Sequence, residues 1–331
     1  MLIGVPTETV TGETRVAVTP EIAKKLKAAG HTVRVQSGAG LAASAPDSLY
    51  AAAGCEVVDA TAAFAADLVL KVRAPTSSEL PLLRRGTVLV GMLNPFDKDG
   101  LAAMAAAGLT CFALEAAPRT TRAQSMDVLS SQANLAGYKA VLIAANLYPR
   151  LFPMLMTAAG TIKAARVVVL GVGVAGLQAI ATAKRLGAVI EASDVRPAVK
   201  EQVESLGAKF IDVPYETDEE REAAKGVGGY ARPMPASWLD RQKVEVARRI
   251  AQANVVITTA LIPGRAAPVL GEELVRPHDP KRRIDDHEAD VAVTHHRGEF
   301  LSLALEDPDL ALEQARPALP LNGHYAPGRA A

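Results

Sequence analysis

The chain is 331 residues long and 49% hydrophobic, enough apolar material for two separate cores. Lysine plus arginine equal aspartate plus glutamate at 36 each, so no overall field draws it to an anionic polymer, and a nucleic-acid partner is not expected. The two cysteines, Cys55 and Cys111, stand far apart in apolar stretches and read as buried, inert thiols of a reducing compartment.

Met1-Leu-Ile-Gly-Val-Pro6 has no basic-then-apolar leader and reads as a first strand running into a loop, so export is not expected. Further short apolar runs follow at Val33–Val35, Leu68–Val72, Val88–Gly91 and Leu109–Ala113. Helical segments fall between them: Pro20 to Ala29 has proline in its first turn and Gly30 where a C-terminal cap belongs. Strands alternating with helices make linked βαβ units and a parallel sheet, so residues 1–126 are expected to form an α/β, flavodoxin-like domain. From Asp127 to Leu147 a helical pattern is interrupted only by Gly137, and Pro149 and Pro153 end it; residues 127–150 are one long linking helix.

A second βα series occupies residues 151–270. Its strands are Val167–Leu170, Val189–Ala192, Phe210–Val213 and Val255–Thr259, with helices after Gly176, around Lys200–Leu206 and near Asp240–Gln252. The stretch Val167 to Ala183 approaches membrane-spanning length, but three glycines in its first half break it into strand, turn and helix. The fold class is α/β, two Rossmann-like domains with parallel sheets joined by a long helix. Between Glu216 and Trp238 charges, glycines and prolines crowd together and the pattern reads as a surface loop. From Gly271 to the end, residues 271–331, five of the six histidines appear among prolines and aspartates, and no further strand of the series is expected. The pair His295-His296 lacks further ligands at regular spacing, so no metal is expected.

The clearest site is the turn Gly171-Val-Gly173-Val174-Ala175-Gly176, directly after the strand Arg166–Leu170. Gly171 allows a tight turn, Gly173 lets a pyrophosphate approach the backbone, and Gly176 lets helix pack on strand. The N–H groups opening the helix then face phosphates. The next strand ends at Asp194, where a carboxylate accepts hydrogen bonds from a ribose diol and repels a 2′-phosphate, so NAD(H) is favoured over NADP(H). Arg196, close by, tempers that preference; a glycine turn with a merely capping aspartate is the plain structural alternative.

The segment Arg122 to Lys139 (RAQSMDVLSSQANLAGYK), with Gly171–Pro197, Gly228-Gly229-Tyr230 and Ile257-Thr-Thr259-Ala260-Leu261-Ile-Pro-Gly264, closely resembles the NAD(H)-binding components of proton-translocating nicotinamide nucleotide transhydrogenases, from residue 1 to about 274. The resemblance implies an enzyme subunit, not active alone, that positions NAD(H) for direct hydride transfer to NADP(H) on a partner component, coupled to a membrane proton-channel component. It also implies a homodimer, cytoplasmic and peripheral on the inner face of the cell membrane through its partners. By resemblance, Arg119, Gln124, Asp127 and Ser130 hold the nicotinamide and face the NADP(H) component. Gly229, Tyr230 and Met234 match a loop closing over NAD(H), while Val195 and Arg196, with Thr259, Ala260 and Leu261, match further cofactor contacts. Taken alone, Asp127 and Ser130 read as helix-start capping residues.

Alanine dehydrogenases share the N-terminal pattern, and Arg15 and Lys71 resemble their substrate-carboxylate contacts. Asn94-Pro95 stands where those enzymes place a proton-transferring histidine, and amino-acid oxidation needs such a group. Past residue 275 the tail departs from the resemblance and reads as an altered reading frame. If it is genuine, the second sheet is a strand short and the chain becomes a catalytically silent NAD-binding module.

Overall fold

The computed structural model describes residues 1–118, 120–224 and 234–259, and the backbone of 291–293. The first strands and helices are β1 (Leu2–Val5), α1 (Pro20–Ala28), β2 (Thr32–Gln36), α2 (Asp47–Ala52), β3 (Glu56–Val58), α3 (Ala60–Phe64), β4 (Leu68–Arg73), β5 (Val88–Met92), α4 (Lys98–Ala106) and β6 (Thr110–Ala113). α1 starts as its sequence dictates: Thr19 accepts from the Ile22 N–H, Pro20 fills the first turn, and Gly30 takes the left-handed φ of 86° just past the end. The six strands are parallel in the order β3-β2-β1-β4-β5-β6. That is the order of the dinucleotide fold, not the flavodoxin-like one expected. The difference comes from β3, a three-residue edge strand whose Glu56 and Val57 are exposed, so it carries no apolar run to read. β6 forms the other edge; Cys111 on it is exposed, and Cys55, directly before the edge strand β3, is only half-buried, correcting the expectation of buried thiols.

A 3₁₀ turn, Thr121–Met126, leads into α5 (Val128–Leu147), whose N-cap is Asp127. After it come the hairpin β7 (Leu155–Thr157) and β8 (Gly160–Ile162), then β9 (Arg166–Leu170), α6 (Val174–Arg185), β10 (Val189–Ser193), α7 (Lys200–Ser205), β11 (Lys209–Phe210), α8 (Asp218–Ala224), α9 (Ala236–Ile250) and β12 (Val255–Thr258). The second parallel sheet runs β11-β10-β9-β12, with β13 (Val291–Val293) beside β12. β13 lies in the tail where no strand was expected, so the sheet is not a strand short; Val-Ala-Val is too short a run to stand out among charged neighbours.

The core of this half joins Val141 and Ala144 of α5 to Val167 and Val169 of β9 and Ala179, Ile180 and Ala183 of α6. Gly137 makes the approach of α5 to α6 possible, because a Cβ there would lie 2.0 Å from the Ala175 carbonyl oxygen. Within the stretch read as loop, α8 forms: Thr217 Oγ1 accepts from the Glu220 N–H, and Asp218, Glu219 and Glu220 sit at the positive end of the helix. No helix among the described residues is long and apolar enough to cross a membrane, and no cluster among them could hold a metal ion. His295 and His296 lie outside the described residues.

Candidate functional site

Three glycines shape the turn after β9, each for a different reason. Gly171 sits at φ 89°, the left-handed region other residues avoid. A Cβ on Gly176 would lie 1.9 Å from the Gly171 carbonyl oxygen, so close packing demands glycine there too. Gly173 is different: its φ of −82° suits any residue, and a Cβ would meet nothing within 4 Å. No side chain caps α6 at Gly173, which leaves the N–H groups of its first turn, including those of Val174 and Ala175, facing the open space beside it. Thr259 locks the turn, donating from Oγ1 to the Gly171 carbonyl at 2.7 Å and from its N–H to the Leu170 carbonyl at 2.8 Å.

Asp194 follows β10 directly and its side chain is nearly buried. Oδ2 accepts from the Val172 N–H at 2.7 Å and from Arg196 Nη2 at 3.0 Å; Oδ1 accepts from the Arg196 N–H and Nε, both at 2.9 Å. Arg196 thus neutralises the Asp194 carboxylate. Val195 packs against a buried cluster of Val213, Ala224, Met234 and Trp238, in which Trp238 stacks on Tyr215 with ring centroids 5.8 Å apart. Met234 is therefore a core residue at the root of the expected loop. Gly229, Tyr230, Ala260, Leu261 and Arg119 lie outside the described residues.

The roots of α8 and α9 are joined by Glu220, whose buried carboxylate accepts from Arg241 at 2.8 Å, Ser237 at 3.0 Å and the Glu216 N–H at 2.7 Å. Burial alone would raise this carboxyl, yet those bonds hold it down to about 2. Sequence reading missed the pair, because Glu220 and Arg241 become neighbours only when the chain folds back.

A second feature is a cavity of about 300 Å³ lined by Glu115, Pro118, Thr120, Gln124, Asp127 and Leu129, among others. It brings Gln124 and Asp127 together. Ser130 is tied to Asp127, which accepts from its N–H at 2.9 Å and its Oγ at 2.7 Å, so Asp127 caps α5 and Ser130, whose hydroxyl donates back to it, does not. Glu115 was not foreseen; it enters because Asn94, at a left-handed φ of 52°, donates its N–H to Glu115 Oε1 at 2.6 Å.

Arg15 and Lys71 are both neutralised. Lys71 is buried between Glu79 at 2.9 Å and Glu8 at 3.4 Å. Burial raises the Glu8 carboxyl, opposed by Lys71 and by the Val72 and Arg73 N–H groups that bond to it. Glu13 takes Arg15 and Arg73 on one carboxylate. Three carboxylates here face three cations.

Comparisons of sequence and of structure with known proteins agree. The family models described as alanine dehydrogenase/PNT, N-terminal and C-terminal domain, match residues 4–136 and 140–276. The chain is 45% identical over 276 residues to the NAD(P) transhydrogenase subunit alpha of Cereibacter sphaeroides, covering 82% of this chain and 52% of that one. It is 48% identical over 295 residues to a Rhodospirillum rubrum protein, the first portion of a divided NAD(P) transhydrogenase subunit alpha, covering 86% of this chain and 76% of that one. Among solved structures it is similar to a transhydrogenase from Sinorhizobium meliloti, with TM-score 0.74 and 50% identity over 83% of this chain and 74% of that one. It is also similar to an L-alanine dehydrogenase, with TM-score 0.65 and 28% identity over 83% and 70% of the two chains.

Proposed function

The chain belongs to the alanine dehydrogenase/PNT family, and from that premise we propose that it is the NAD(H)-binding subunit of a proton-translocating transhydrogenase. Gly173 carries the reading: neither its φ nor its packing requires glycine, while an uncapped helix N-terminus opens beside it. A residue spared a side chain with no structural need for it points to a ligand that must come close, and a pyrophosphate fits that place. Asp194 would take the adenosine ribose, with Arg196 yielding the carboxylate to it. Thr259 ties down the turn, and Val195, Gly229, Tyr230, Met234, Ala260 and Leu261 belong to the same site by likeness to the family.

When bound, NADH supplies the hydride. The chain's own work is positioning: Gln124 can both donate and accept, and Asp127, fixed by its two bonds to Ser130, gives the cavity a rigid wall. By likeness to the family, Arg119 would add a fixed positive charge for the nicotinamide. The acceptor is NADP(H) on a partner component, and the proton path belongs to a membrane component, on whose inner face this subunit would sit. A homodimer is supported by the hairpin β7–β8, every residue of which is exposed, with Met156 83% and Met154 beside it 61% accessible. A two-stranded hairpin with apolar side chains in water is marginal by itself and gains from a cover, here a second copy. A monomer in sedimentation at micromolar concentration would remove that part of the reading.

An alanine dehydrogenase is the nearest alternative. Its substrate carboxylate needs cationic partners, and Arg15 and Lys71 are already matched by Glu13, Glu8 and Glu79. Asn94 offers no proton carrier near neutral pH. NADH fluorescence titration followed by mixing with an NADP(H)-loaded partner component tests the proposal. Binding with transfer is expected; binding without transfer would leave a silent NAD-binding module, and alanine-dependent NADH formation would favour the alternative.

A further inference from the structure

Arg15 is a cation for which the proposed reaction has no use, yet the fold holds it with unusual care. Nε donates to Glu13 Oε1 at 2.6 Å, Nη2 to Glu13 Oε2 at 2.5 Å, and the Arg15 N–H to the same carboxylate at 3.0 Å. The Glu13 side chain is fully buried and also accepts from Arg73 Nε at 2.8 Å. Burial opposes ionisation of Glu13, but the bonds from Arg15 and Arg73 outweigh it and keep the carboxyl below its ordinary range. The planar fork therefore has one orientation, and its remaining Nη1 donates to Gln132 Oε1 at 2.9 Å.

Gln132 lies in the opening turns of α5, where the backbone is already fixed. The Asp127 carboxylate caps Ser130, and the Asp127 carbonyl accepts from the Ser131 Oγ at 3.1 Å and N–H at 3.3 Å. A force on Gln132 is thus passed to Asp127 and to the turn carrying Gln124, the wall of the cavity. We propose that Arg15 is a positioning residue for hydride transfer, held by Glu13 so that it orients the start of α5 through Gln132. The inference rests on reading that cavity as the nicotinamide site. Small displacements matter in such a site, since a shift of about 1 Å can cost roughly 100-fold in rate. The adenosine end, anchored at Asp194 after β10, does not depend on this contact.

The test uses the full chain with its NADP(H) component, reading NADH affinity by fluorescence and hydride transfer in a single turnover. Gln132→Ala is the informative variant because it leaves the buried Glu13, Arg15 and Arg73 charges intact. Transfer should fall at least about tenfold with NADH affinity within about threefold of wild type. Gln132→Glu, which offers Arg15 a charged acceptor, should restore both to within about threefold. Wild-type transfer by Gln132→Ala while Gln124→Ala is slow would overturn the role of Arg15 alone. If Gln124→Ala also transfers normally, the reading of the cavity fails and the inference with it. Parallel losses of affinity and rate, or a Gln132→Glu variant as slow as Gln132→Ala, would also overturn it.

Discussion

The two sheets pose the same topological problem and solve it in opposite ways. In each, strand order reverses beside the first strand, between β1 and β4 in one and between β9 and β12 in the other, and a crevice opens there at the carboxyl ends of the strands. In the first, Pro6 and Thr7 follow β1, and Glu8 reaches across to the N–H groups of Val72 and Arg73 and to Lys71. The protein's own carboxylate fills the gap. In the second, Gly171 to Gly176 follow β9, Thr259 closes only the floor, and the space beside Gly173 is left open. One crevice is closed by the chain's own carboxylate and the other is left open, and the contrast lies in side chains, not topology.

The largest expected effect breaks the filled crevice. Glu8→Ala should cost about 3 kcal/mol of stability, because Lys71 keeps a single carboxylate and two N–H groups lose their acceptor. Thermal unfolding should show it, with NADH affinity unchanged; a variant as stable as wild type would mean that Glu8 does not hold the crevice shut. Asp194→Ala should do the reverse, weakening NADH roughly 10- to 100-fold, the worth of hydrogen bonds to a charged group, with a smaller loss of stability. Unchanged affinity would rule Asp194 out as the ribose acceptor.

A smaller effect tests whether Glu220 belongs with the filled, structural kind. Its carboxyl is held at about 2, below the ordinary 4.5, so its contribution is fully present above pH 4.5 and fades as pH falls toward 2. Glu220→Gln should lower the melting temperature at pH 7, with the difference closing below pH 4.5. A difference independent of pH would show that packing, not charge, ties α8 to α9.

Much of this contrast was legible in the sequence. The glycine spacing, Asp194 and the long helix ended by Pro149 are local patterns, and each appears in the structure where the chain places it. What escaped reading is non-local or too short to register. β3 has no apolar run, and β13 sits in a stretch of alien composition. Glu13 meets Arg73, Glu220 meets Arg241, and Asn94 meets Glu115 only through tertiary pairing. The glycine spacing assigns each of the three its own task; what a Cβ would touch then separates Gly171, needed for φ, and Gly176, needed for packing, from Gly173, which needs neither.

That distinction also supplies the most direct measurement. Gly173→Ala introduces a methyl group into space that no described atom beyond its own chain neighbours approaches within 4 Å. The account predicts a melting temperature within about 2 °C of wild type together with a loss of NADH binding of at least about tenfold by fluorescence titration. A variant that keeps both its stability and its NADH affinity would contradict the claim that this turn is kept open for a dinucleotide.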